Sequence, residues 1–247
     1  RAGKRSLAIN ARDPRARQAL AALIASADVL LENFRPGKLA KLGFDPAELI
    51  VRHPRLVVCS ITGFGPDSNR RAYDHVVQAS SGFMAANANA DGTPQRVGFP
   101  VIDYAVGMQA AQAVLAALLR RERQGAARAR GEWLQVTMNG AALTLLGPVF
   151  APQMVSGITP PRTASTAFSG SALSGTFAAS DGHLALVCNA PDQAVGLQRA
   201  LAEAGVDEAT RQHIEAAAGQ ADVVTAQRLL GEAFGQATVA DWEARLA

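Results

Sequence analysis

Apolar positions along this chain keep two rhythms. Short apolar runs, Val29-Leu-Leu31 and Leu56-Val-Val-Cys59, fit strands, the second continuous enough to lie inside a parallel sheet. Between and around them the apolar residues recur at helical spacing. Asp13-Pro14 is a cap followed by a first-turn proline, and Leu20, Leu23 and Ile24 then share a face, so a helix is predicted to about Ala27. Further strands are expected over Ser6–Asn10, Asp28–Asn33, Arg55–Ile61 and Glu132–Thr137. Further helices are expected after Arg35-Pro-Gly37 to about Lys41, from Asp45-Pro46 to His53, over Tyr73–Ala86 and Asp103–Arg123, and after Thr137. Strands alternating with helices predict an α/β fold with a doubly wound parallel sheet.

In such sheets ligands bind beyond the carboxyl ends of the strands. Here those ends are Asn33-Phe34-Arg35 and Thr62-Gly-Phe-Gly65. No Gly-x-Gly-x-x-Gly follows a strand, so the dinucleotide fingerprint is absent. From Gly147 to Gly175 the composition turns to Pro, Ser, Thr and Gly, which reads as a linker or loop. Beyond it, Gly175-Thr-Phe-Ala-Ala and His183–Cys188 flank Ser180-Asp-Gly182 as a hairpin. Short Ala-rich helices follow, the last from the capping box at Thr238–Asp241. The expected organisation is therefore a large α/β domain over 1–146, a linker with a glycine/serine loop over 147–174, and a small α+β domain over 175–247. The chain starts at Arg1 without Met and reads as opening, and also ending, inside a domain.

Composition narrows the chemistry. A net charge of +3 suits an anionic small molecule but is too mild for a nucleic-acid surface, and 5% aromatics leaves few base-stacking platforms. Cys59 and Cys188 each sit in an apolar run, which predicts buried free thiols and a cytoplasmic setting. Four scattered histidines and no paired cysteines predict no metal site. No run is expected to cross a bilayer, the best candidate, 141–155, being broken by Pro148 and Pro152.

One carboxylate stands apart. Asp103 opens the apolar stretch that runs through Leu119, with no other acidic side chain before Glu122. An Asp here is a natural helix cap, held ionised by the helix dipole. In a dry site it would also be a nucleophile.

Three blocks in fixed order, Ala27–Gly37, Pro54–Gly65 and the Asp103 helix ending at Arg123-Gln-Gly125, resemble the family III coenzyme A transferases, the group of the formyl-CoA and carnitine CoA transferases. Gly131–Met138 and the Ser180-Asp-Gly182 hairpin continue the likeness. The resemblance implies a homodimer of interlocked rings. It implies that the Asp103 carboxylate attacks an acyl-CoA thioester, that an aspartyl anhydride and then an aspartyl-CoA thioester form, and that a carboxylic acid takes the CoA. Coenzyme A is thus a substrate, and no permanent cofactor is expected. The resemblance places CoA against Asn33, Phe34, Arg35, Lys41, Arg71 and Tyr73, and matches a glycine loop to Ser169–Gly175 with Gly170 and Gly175. Arg120, Arg121 and Arg123 read as structural charges at a helix C-terminus.

Two alternatives stand beside this. The α-methylacyl-CoA racemases share the fold and the Asp, but pair it with a His where Tyr73 stands; two-faced proton exchange needs both groups, and His75 lies two places on. The other alternative is a non-catalytic or truncated CoA-binding partner.

Overall fold

A computed structural model of the chain describes residues 3–89, 92–125, 129–158 and 169–247. It divides into two compact units, Arg1–Met84 with Arg96–Pro160, and Ala85–Gln95 with Pro161–Ala247.

The first unit is built on three parallel strands, β1 (Val29–Glu32), β2 (Val57–Thr62) and β3 (Trp133–Thr137), in that order. Leu31 lies beside Cys59, and Cys59 beside Leu134. Successive side chains on a strand point to opposite faces. Val58 and Trp133 pack with Ile24, Leu39 and Leu49, whereas Ile61 and Val136, each three positions on, pack with Val77, Ile102, Val106 and Ala141. Both faces of the sheet are therefore covered. The first face carries α1 (Pro14–Ser26), α2 (Lys38–Lys41) and α3 (Pro46–Arg52). The second carries α4 (Asp74–Ser80), α6 (Val101–Arg123) and α7 (Met138–Leu145), with α5 (Phe83–Ala86) and α8 (Gly147–Ser156) completing the series. Asp13 and Asp45 start α1 and α3 as read from the sequence, each accepting from the N–H two residues on, at 2.8 Å.

Five expectations are corrected. Residues 6–10 form no strand; they are exposed, and among the described residues no strand lies beside them to take up their backbone groups. The helix expected over Tyr73–Ala86 breaks at Ser81-Gly82, where Gly82 has φ +85°. Residues 147–156, expected as linker, form α8, with Pro148 in its first turn, where no N–H is needed. The long helix begins at Val101, so Asp103 is its third residue and Pro100 takes the cap position.

The fifth correction concerns α6 as a whole. Its apolar stretch through Leu119 fits, by sequence, a helix buried on most sides. Only Ile102, Ala105, Val106, Ala110, Ala117 and Arg121 are buried, while Tyr104, Met108, Leu115 and Leu119 are 53–67% exposed along the other side. Its 23 residues have the length and hydropathy of a bilayer span, contrary to the expectation from the sequence. Its packing on β2, β3, α4 and α7 places it as the core helix of an α/β unit. Its far end is pinned by Arg121, which donates to the Arg55 carbonyl at 2.6 Å and to Asp28 at 2.8 Å. Arg120 pairs with Glu132. These arginines are structural, as the sequence implied.

The second unit holds an antiparallel hairpin, β4 (Gly175–Ala178) and β5 (His183–Leu186), with Phe177 beside Leu184. Four helices follow: α9 (Pro191–Glu203), α10 (Glu208–Gly219), α11 (Val223–Phe234) and α12 (Val239–Leu246). Phe234 joins Phe177 and Trp242 at ring separations of 5.0 and 4.7 Å, and the Trp242 indole N–H donates to the Phe234 carbonyl at 2.9 Å. Each of the last three helices is capped locally, by Asp207, Asp222 and Thr238. Cys59 and Cys188 are both buried and free, as expected.

Candidate active site

A cavity of about 610 Å³ opens where β1 and β2 end. Of the residues read from the sequence, Asn33, Phe34, Arg35, Arg71, Tyr73 and Asp103 all line it. The turn after β1 is set when the Phe34 N–H donates to Glu32 Oε2 at 2.7 Å. The loop after β2 is set by Thr62 Oγ1, which accepts from the Gly65 N–H at 3.2 Å. Two strand-end loops thus bring residues some forty positions apart to one opening.

Lys41 is not part of it. It is the last residue of α2, exposed and away from the lining, because the helix carries it past the strand end. Gly170 and Gly175 belong to the second unit. Gly170 has φ +75°, and Gly175 is no loop residue but the buried first residue of β4. Residues 159–168 lie outside the described residues.

Residues not read as part of the site also line it. Arg70 sets its guanidinium 4.0 Å above the Phe64 ring, and Ser68, Asp74, Gly107 and Met138 complete the wall near Asp103. Arg70 had a visible signal, since it adjoins Arg71 and follows Phe64 by six positions. Arg35, Arg70 and Arg71 give the opening three guanidinium groups, which suit phosphate or carboxylate oxygens through paired N–H donors.

Asp103 differs in two ways from the residue expected. It accepts no first-turn hydrogen bond of its own helix. That task falls to Asp74, at the start of α4, whose Oδ2 accepts from the Ile102 N–H at 2.7 Å and from the Asp103 N–H at 3.3 Å. The Asp103 carboxyl is also not held low by the dipole. Partial desolvation, and then the nearby Asp74 charge, push it above the ordinary carboxylate value. The side chain is nonetheless exposed at the cavity mouth, so within this chain the site is not dry. The sequence reading required dryness, and α6, open to solvent along Tyr104 and Met108, does not supply it.

Tyr73 lines the cavity at the position where a racemase would carry a histidine. His75 is exposed and absent from the lining; its ring stacks on Tyr73 at 6.0 Å, tilted by 7°. Among the described residues no cluster of His, Cys, Asp and Glu could hold a metal ion.

The chain is similar to several known proteins. A protein named as a probable fatty acyl-CoA transferase from Mycobacterium tuberculosis is 40% identical over 146 residues, which cover 58% of this chain and 36% of that protein. The succinate–glutarate CoA-transferase of Agrobacterium fabrum is 40% identical over 126 residues, covering 50% of this chain and 32% of that protein. The chain thus matches about a third of the length of these curated relatives. The crystal structure of a CAIB/BAIF family protein from Brucella suis superposes with a TM-score of 0.83 at 28% identity, over 99% of this chain and 64% of that one. The model for CoA-transferase family III matches residues 1–247, and the chain belongs to that family.

Proposed function

We propose that this protein transfers coenzyme A from an acyl-CoA to a carboxylic acid, with Asp103 as the nucleophile. One observation carries the reading: the Asp103 carboxylate, with Asp74 beside it, shares one cavity with three arginines at the carboxyl ends of a parallel sheet. The arginines suit the phosphates of CoA, and Asn33 and Phe34 border the same opening. An Asp103 oxygen attacks the thioester carbonyl, the C–S bond breaks, and CoA leaves as a thiolate while the acyl group stays as a mixed anhydride. The thiolate then attacks the aspartyl carbonyl, releasing the donor acid as a carboxylate and leaving an aspartyl-CoA thioester. An acceptor carboxylate reverses the two steps. A carboxylate nucleophile suits this exchange because each intermediate remains an activated acyl group of similar energy.

Water must be kept from both intermediates. A second copy of this chain, interlocked with the first, would cover Asp103 and the apolar side of α6. A cytoplasmic location would keep the two buried thiols reduced. Tyr73 speaks against racemisation, because a phenol is a poor base near neutral pH where an imidazole is a good one. The test is to mix the protein with an acyl-CoA, quench with hydroxylamine or borohydride, and map the modified peptide by mass spectrometry. An adduct on Asp103, with labelled acid entering the acyl-CoA pool, is expected. Solvent deuterium at the α-carbon without acid exchange would point to the racemase reaction instead. CoA binding without either would leave the non-catalytic partner.

A further inference from the structure

Helix α6 has a gap at its start. The side chain at its cap position is Pro100, which offers no acceptor to the first-turn N–H groups. Tyr104 N–H reaches the Pro100 carbonyl at 3.2 Å, but Ile102 and Asp103 have no partner within their own turn. Both are taken by one carboxylate oxygen of Asp74, 28 and 29 positions away in the chain. The other oxygen of Asp74 accepts from Gln78 Nε2 at 2.5 Å. Gln78 is fully buried, and its Oε1 accepts from the Val97 N–H at 3.0 Å. The chain from Val97 to Asp103 is therefore fastened to α4 at both ends by two side chains one helical turn apart.

We infer that Asp74 is a positioning residue for the transfer: it caps α6 in place of Pro100, and its charge sets the field in which the Asp103 carboxylate works. The inference rests on the reading of Asp103 as nucleophile. The cap fixes the backbone N–H of Asp103 itself, so the carboxylate leaves a helix turn that cannot fray. A backbone error of about 1 Å at a reacting group can cost about a hundredfold in rate. The charge acts the other way from the helix dipole. A carboxylate beside a carboxylate disfavours ionisation, and a nucleophile that is harder to ionise is more basic and attacks a thioester more readily once charged. The groups facing Asp103 are few. Asp74 comes from α4, whose His75 lies outside the lining, and Tyr73, Arg70, Arg71 and Arg35 come from the loops around the cavity. The strands under α6 add only Cys59, and α7 adds no titratable side chain.

The experiment compares Asp74→Asn, Asp74→Ala and Asp103→Asn in the full chain. It reads acyl-CoA:acid exchange against pH, the carbon-13 titration of the Asp103 carboxyl, and amide hydrogen exchange at Ile102 and Asp103. Asp74→Asn keeps an acceptor and loses the charge. In it the Asp103 titration and the acid limb of kcat move to lower pH, while the two amides exchange within about threefold of the parent. Asp74→Ala loses both: the amides exchange about tenfold faster or more, and kcat falls about tenfold or more with KM for acyl-CoA within about threefold. An Asp103 titration unmoved in Asp74→Asn, or Ile102 exchange unchanged in Asp74→Ala, overturns the inference. Failure of the underlying reading looks different. Asp103→Asn would then retain transfer, while the titration and exchange data would still report on Asp74.

Discussion

Four aspartates near helix starts divide the two units of this molecule. In the second unit Asp207, Asp222 and Asp241 take hydrogen bonds from threonines of their own first turn, and those bonds hold the three carboxyls below the ordinary value. In the first unit Asp103 receives no such bond, and burial with a like charge pushes it the opposite way. The second unit caps its last three helices with side chains at their own starts and closes an aromatic core around Trp242, fully buried. The first unit borrows the cap of its longest helix from a distant residue and leaves a carboxylate free at a cavity mouth. Local satisfaction gives stability, and its absence at one position leaves the carboxylate that the proposed function uses as nucleophile.

The contrast can be tested by separating activity from stability. Asp103→Asn is expected to lower CoA exchange by about a thousandfold or more while thermal unfolding stays near that of the parent; labelled-acid exchange and calorimetry read the two quantities. Trp242→Ala should do the reverse. Removing a buried indole from between Phe234 and its neighbours should cost about 3–5 kcal/mol by denaturant unfolding, with the Asp103 adduct still formed wherever the protein is folded. A preserved midpoint would mean that the second unit does not depend on its aromatic cluster.

Smaller effects sharpen the picture. Arg70→Ala should raise KM for acyl-CoA about tenfold with kcat little changed, since the proposed function sets this cavity-lining guanidinium against the CoA phosphates, which do not react. Steady-state kinetics at varied acyl-CoA checks this, and a fall in kcat alone would contradict it. The smallest effect is in the pH dependence of stability. Between the ordinary carboxylate value and the raised value of Asp103, the folded protein holds more protons at this site than the unfolded chain, so stability falls as pH rises through that window. Asp103→Asn should flatten the fall. The caps carry the opposite sign: their contribution is present above the ordinary value and is lost as pH drops through their lowered folded values. Urea titrations across the acid range separate the two slopes.

Much of the first unit was legible because its signals are local. Asp13-Pro14 and Asp45-Pro46 each cap the helix they precede, and the apolar run 56–59 lies within a sheet covered on both faces. The likeness to CoA transferases rested on ordered blocks whose family the comparison bears out. What failed was non-local. An Asp before an apolar run satisfies the sequence rule for a cap, yet α6 starts two residues earlier at Val101, behind Pro100, and the capping oxygen belongs to Asp74. Residues 6–10 carry strand-like side chains, but a strand needs a neighbour and none is present among the described residues. Pro148 and the mid-helix Pro152 read as breakers, although the first occupies a turn that lacks hydrogen bonds in any helix. The Arg70 stack on Phe64 depends on a loop path that no spacing rule encodes.

The grip of Arg121 on Asp28 and on the Arg55 carbonyl has a mechanical consequence. At 1.5 Å per residue it lies about 27 Å along the axle from Asp103. Because a helix turns about 100° for each residue, a slip of one position at that far anchor would swing the Asp103 carboxylate out of the opening. Two clasps, one at each end, therefore set the angle of rotation as well as the place of α6. Damage to the remote clasp should be felt first as misaim.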